Sequence, residues 1–221
     1  MKLCYPEIEN VFSFSDNKIT TLVLENPRLF REIIYDLFEQ SQGSDGKTVF
    51  SINDSPVSFS KNTELFTTFT PFDINTKALL TKIQGILEKV AVSSENYLST
   101  QNILLENEKW LTNIAEELPC EIEASKLNHS TLIKAFGISI RDDSESLCEK
   151  LLNYMELVRE LDREKLFIFI NLRSYTEDSQ LSLFFDSVIK HGFKIFLIDS
   201  SAKNILPFEN RTVIDEDLCE F

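Results

Sequence analysis

Glycine and proline are scarce in this chain of 221 residues, at five and six, which argues against long flexible linkers. The four cysteines, Cys4, Cys120, Cys148 and Cys219, lie far apart and form no CxxC pair, so the chain has no short disulfide framework. They read as reduced thiols of a cytoplasmic protein. No apolar run reaches the length of a membrane-spanning helix, and the first ten residues, MKLCYPEIEN, carry no apolar signal region. Neither a membrane partner nor secretion is expected. The two histidines, His129 and His191, stand alone, no Ser/His/Asp or Cys/His order is visible, and no two acids are paired for proton transfer. The expectation is a protein that is not an enzyme. Basic side chains are also in deficit, at 22 against 36 acidic ones, for a net charge of −14. Taken alone, that balance argues against nucleic acid and suits divalent cations, which take hard carboxylate oxygens.

What is present suffices for a sizeable core. Hydrophobic residues make up 43% of the chain and phenylalanine alone contributes 18 residues. The β-branched run TTLVL (residues 20–24) reads as a buried strand, followed by Asn26-Pro27, a good N-cap and first helical residue. Leu29/Phe30, Ile33/Ile34 and Leu37/Phe38 then recur at helical spacing to about Gln40. Residues 48–52 and 57–59 flank NDSP as a hairpin, and LFTTFT (65–70) reads as another strand.

After Pro71 the texture turns helical. Leu79/Leu80, Ile83, Ile86/Leu87 and Val90 form a stripe, and a seven-residue ladder runs Ile83, Val90, Tyr97, Leu104, Leu111, Leu118. If the polar stretch SSENYLSTQN leaves it unbroken, a helix of about 40 residues would extend roughly 60 Å. A short helix over 126–136 ends at Gly137, and a further one follows with Ser144 as its cap. Near the C-terminus, LFIFI (166–170) and FKIFLI (193–198) are fully apolar strands around a helix that starts at Thr176 and closes on Lys190, His191 and Gly192. That is a βαβ unit of a parallel sheet covered on both faces. The fold class is therefore α/β, with a discontinuous head (1–73 and 164–221) and an inserted α-helical leg (74–163).

SQGSDGKT (41–48) ends like a phosphate-binding loop, with Gly46, Lys47 and Thr48 in place and Ser41 where the first glycine belongs. A working loop lies between a strand and the following helix, aiming amides at phosphate. Here a helix precedes and a strand follows, so a turn is expected. The junction that has the right order, LENPRLF (24–30), lacks glycine and GK[ST]. No nucleotide cofactor is expected. Asn171 and Asp199 end the two apolar strands and read as polar strand ends rather than magnesium ligands.

In order along the chain, TTLVLENPRLFREII, FTTFTPFDINTKALLTKI, REKLFIFINLRSYTED and VIDEDL resemble the Csn2 family of type II-A CRISPR–Cas systems. The resemblance implies a degenerate P-loop-ATPase-like head with a parallel-containing sheet, no ATPase activity, and an extended α-helical leg. It implies a homotetrameric ring whose basic inner surface encircles double-stranded DNA, especially at free ends, without sequence preference, during acquisition of new spacers. Type II-A integrase proteins and the effector nuclease are the implied partners, and calcium is the implied metal.

On this sequence Glu121 and Glu123 match the family's acidic run, with Glu117 or Asp142 and Asp143 as helpers, while Ser125, Lys126 and Thr131 stand where acids are expected. The leg lysines Lys77, Lys82, Lys126 and Lys134 are the candidate DNA lining. The alternatives are an assembly or adaptor protein that does not bind DNA and, third, an NTPase using Lys47.

Overall fold

A computed structural model describes residues 1–221 and divides them into two compact units, Met1–Ile74 with Asp142–Phe221, and Asn75–Arg141. The first is the α/β head. Its main sheet is wholly parallel, in the order β6 (Thr63–Phe66), β7 (Leu166–Ile170), β8 (Lys194–Asp199), β3 (Ile19–Leu24), β9 (Glu209–Ile214). β3, β7 and β8 are almost continuously apolar because both faces are covered. One face, with Leu22, Leu24, Ile168, Ile170, Phe196 and Ile198, packs against α1 (Pro27–Ser41) and a small antiparallel sheet. That sheet has the order β2 (Phe12–Ser13), β1 (Lys2–Cys4), β4 (Val49–Ile52), β5 (Ser55–Pro56). The opposite face presents Phe66 and Phe169 to the rings of Tyr154 and Phe184, on α6 (Leu147–Leu161) and α7 (Asp178–His191).

Local chemistry accounts for several of the boundaries. The β4–β5 hairpin turns on Asn53 and Asp54, both at positive φ, the conformation of a two-residue hairpin turn. Its second strand is Ser55–Pro56, and Phe59 enters the short helix α2 (Phe59–Asn62) instead. Gly192 ends α7 in the left-handed conformation. The cap of α6 is Ser146 rather than Ser144, because Ser146 and Glu149 close a capping box.

The leg unit holds α3 (Lys77–Ala91), α4 (Tyr97–Ala115) and α5 (His129–Ala135). Its two ends are tied by one amide: Asn75 Nδ2 donates to the Ile140 carbonyl (3.2 Å), and the Ile140 amide donates to Asn75 Oδ1 (2.6 Å). The structure settles one alternative left by the sequence and corrects one expectation. The 40-residue rod does not form: α3 stops at Ala91, where Asn96 Nδ2 donates to the Val90 carbonyl and the Thr100 hydroxyl to that of Ala91. Polar side chains thus take the carbonyls that a continuous helix needs. The leg is also shorter than 74–163, because α6, whose Leu151, Met155 and Val158 are buried, falls within the head unit. A helical stripe shows that a face is buried and not which unit buries it.

Candidate functional site

The SDGKT segment is a turn between α1 and β4. Asp36, one turn before the end of α1, accepts the amides of Lys47 (2.6 Å) and Thr48 (2.9 Å) and the Thr48 hydroxyl. Burial works to raise its carboxyl, but these bonds and one from Gln40 outweigh that and hold it below the usual range. A Cβ at Gly46 would lie 2.5 Å from Asp36 Oδ1 and from Gln40 Nε2, so glycine is needed for this close approach. The Lys47 ammonium meets Glu7 (2.9 Å) and lies over the Tyr5 ring.

The strand-to-helix junction after β3 is closed by its own side chains. Asn26 Oδ1 accepts the amides of Arg28 (3.1 Å) and Leu29 (3.0 Å), while its Nδ2 donates to the Glu216 carbonyl. Pro27 has no N–H, and the Glu25 amide donates to the Ile214 carbonyl. The first amides of α1, which would face an anion at such a junction, are therefore spent on Asn26.

At the carboxyl ends of β7 and β8 the polar residues serve the backbone and each other. Asn171, at positive φ, accepts the Ser200 amide (2.8 Å). Asp199 is buried, its Oδ2 3.6 Å from Arg173 Nε. Arg173 donates instead to Glu209 (2.7 Å) and the Asn204 carbonyl (2.7 Å), and Arg211 donates to Glu209 and to the carbonyls of Lys203 and Asn204. Burial pushes the Asp199 carboxyl up to about 6, against the pull of Arg173. No sequence signal marks this cluster, since an arginine after a strand ordinarily reads as exposed. His191 pairs with Glu156 (2.7 Å) at the end of α7, and all four cysteines are free thiols.

The leg segregates its charge. Residues 77–91 and 126–141 carry Lys77, Lys82, Lys89, Lys126, Lys134 and Arg141 against the one acid Glu88. Residues 95–123 carry seven glutamates against Lys109. α3 and α5 pack together, and Glu88 on α3 accepts a hydrogen bond from Ser130 on α5 (2.6 Å). That bond, then Gln84, Lys134 and His129, holds Glu88 below the usual carboxylate range. Lys77, Lys82 and Lys134 thus lie on one packed helix pair, with exposed Lys126 on the segment before α5. Lys89 and Arg141 extend the set beyond the four lysines expected from the sequence.

The metal candidates do not gather. Glu117, Glu121 and Glu123 are exposed beyond α4, on the helical unit. Asp142 and Asp143 belong to the other unit, where Asp142 accepts from the Ser144 amide and hydroxyl and faces Lys150 at 3.5 Å. These contacts, the Ser144 hydroxyl first, hold the Asp142 carboxyl below the usual range. Nowhere do three carboxylate, imidazole or thiolate groups come together in a set able to hold a metal ion. No helix is long and apolar enough to cross a membrane.

Known proteins match this arrangement. A "CRISPR-associated protein Csn2" from Enterococcus faecalis is 30% identical over 171 residues, covering 73% of this chain and 74% of the relative. A Streptococcus thermophilus protein, described as "Crystal structure of Stu0660", shares the fold with a TM-score of 0.55 at 13% identity, over 90% of this chain and 68% of that one. The family described as "CRISPR-associated protein (Cas_Csn2)" matches residues 40–218, and the chain belongs to the Csn2 family of CRISPR-associated proteins.

Proposed function

We propose that this Csn2-family chain is a non-catalytic protein that binds double-stranded DNA, with preference for free ends, as a homotetrameric ring during spacer acquisition in type II-A CRISPR–Cas immunity. The observation that carries the reading is the segregated charge of the leg, where six basic side chains collect on the α3/α5 side against a single acid. Phosphate neutralisation needs a local basic surface and not a basic chain. The ring is supported by the leg's exposed apolar side chains, among them Leu98, Leu105, Trp110, Ile114 and Leu118, which further copies of the chain would cover.

The non-catalytic part rests on the head. Asn26 and Pro27 close the junction where phosphate would sit, and Lys47 is committed to a turn. These contacts speak against a degenerate P-loop-like head retaining nucleotide. Calcium enters the reading only as an ion shared between copies, because one chain does not assemble a ligand set. No step is derived through it. The integrase proteins and effector nuclease of the same systems are the proposed cytoplasmic partners.

The test is duplex binding against salt concentration. Affinity that falls steeply with salt, linear duplex bound and the same sequence refused as a closed circle support encirclement. Lys77→Glu with Lys134→Glu should weaken binding to all sequences alike and lower the salt slope by about two. Equal affinity for circles and linear fragments overturns the ring. The second reading, an assembly protein without DNA, is favoured by the head's 28 acids against 15 bases. Absence of any salt-sensitive duplex binding would select it.

A further inference from the structure

Three buried side-chain atoms of the chain have no hydrogen-bond partner within it: Asp199 Oδ1, Arg173 Nε and Thr21 Oγ1. Asp199 ends β8 and Arg173 follows β7, while Thr21 lies in the middle of β3 on the strand face that Asp199 shares. Asp199 ends β8 in register with Val23, two residues after Thr21 on β3, and Thr21 is in register with Arg211 on β9. Arg173 comes from the turn Leu172–Ser174 that follows β7, with its Nε 3.6 Å from Asp199 Oδ2. A native interior pairs nearly all its buried polar groups, so orphans gathered at one place mark an element that is not fully satisfied in one state.

The two arginines divide their donors unequally. Glu209, whose side chain is wholly buried, takes Arg173 and Arg211 together. The remaining donors hold the exposed loop 200–208 by its backbone: Arg173 at the Asn204 carbonyl, and Arg211 at the carbonyls of Lys203 and Asn204. Asp199 is left with a guanidinium nitrogen 3.6 Å away, beyond hydrogen-bond length. The charged groups facing it are Arg173, Glu209, Arg211 and Lys203, and β3 contributes no charge. From α7, Asp178 reaches the same loop through the Asn204 side-chain amide.

We propose that this cluster is a proton-operated clip on the loop 200–208: ionising Asp199 draws the Arg173 guanidinium onto its carboxylate and loosens Arg173's hold on Asn204. The guanidinium is a rigid planar fork, so closing the gap by about 0.7 Å to a normal hydrogen bond cannot preserve both of its other bonds. The bond to the Glu209 carboxylate is charge-assisted and about twice as strong as one to a neutral carbonyl, so the Asn204 bond yields. A neutral Asp199 makes no such demand, and the loop stays clipped. The loop carries Lys203 with exposed Ile205 and Phe208, so the clip controls how firmly the head presents these side chains. The shift of Asp199 toward 6 sets the switch just below neutral pH.

The experiment is an NMR titration of 15N-labelled full-length protein between pH 5 and pH 8. The amides of Lys203, Asn204 and Ile205 and the Arg173 Nε–H should move together with one midpoint near 6, and in Asp199→Asn they should stay still. Loop amides that move in Asp199→Asn as they do in the wild type overturn the clip. If that variant does not fold, the Asp199 side-chain carboxyl is followed by 13C in the wild-type protein. A carboxyl midpoint in the ordinary range near 4 overturns the proposal, and one near 6 shared with the loop amides supports it.

Discussion

The two units of this chain solve opposite problems with neighbouring stretches of one sequence. The head's 154 residues bury 38 of the 40 buried hydrophobic side chains, and the leg's 67 residues bury only Leu79 and Leu104. Exposure runs the other way: 14 of the 24 exposed large hydrophobic residues lie on the leg. Charge is divided as unevenly, at a net −13 on the head and −1 on the leg. The head is built around its own core. The leg, with α3 and α5 capped by Thr76 and Asn128, leaves most of its large apolar side chains exposed. The overall charge of −14 is thus nearly all the head's and says little about what the leg can bind.

Substitutions in the two units should separate these roles. The largest effect belongs to the head core. Phe169→Ala removes a ring packed against Phe66, Phe69 and Phe184, and should cost about 3–5 kcal/mol in denaturant melting. A loss near 1 kcal/mol would mean the head is far more plastic than its packing. Next comes the leg surface. Ile114→Asp or Leu105→Asp places a charge on an exposed apolar position, harmless to a single chain and costing several kcal/mol if a second copy covers it. Light scattering should show smaller species with helicity retained in the circular dichroism spectrum. An unchanged mass would mean those positions face solvent in the assembly.

A smaller effect, of opposite sign, is expected at Asp199. Its folded carboxyl titrates near 6, above its unfolded value, so the acid form is the stabilised one. The native state therefore loses stability as pH rises through 6 and loses nothing extra below about 4, where both states are protonated. Asp199→Asn keeps the neutral form at every pH. It should melt later than the wild type at pH 7.5, by an amount on the order of 2–3 kcal/mol, and together with it at pH 4. A variant less stable at pH 7.5 would mean that pairing with Arg173 outweighs the cost of burying the carboxylate. The smallest effect concerns Lys47. Lys47→Ala removes a surface contact with Glu7 and should leave both melting and duplex affinity unchanged. Nucleotide binding present in the wild type and lost in this variant would overturn the assignment of the SDGKT segment as a turn.

Much of the head was legible because its signals are local. LFIFI and FKIFLI are apolar along their whole length, and that pattern alone demands a strand covered on both sides, as β7 and β8 are. Asn26-Pro27 announces a helix start where a phosphate loop would need glycines, and the Asn26 side chain takes the amides as that reading requires. The leg lysines Lys77, Lys82 and Lys134 were legible only as residues of helical segments; their gathering depends on α3 meeting α5.

What the sequence determined by itself was the kind of β3, β7, β8 and the longer helices, the closing of the strand-to-helix junction, and the turn at Gly46-Lys47-Thr48. Each depends on backbone preferences and on side chains within a few residues of one another. What only the tertiary structure decided was which unit claims α6 and the union of Arg173, Asp199, Glu209 and Arg211. Those four residues come from three separate segments of the chain. Whether each is a solvated charge or a buried one depends on the neighbours that sheet pairing brings to it, and periodicity along the chain carries no record of them.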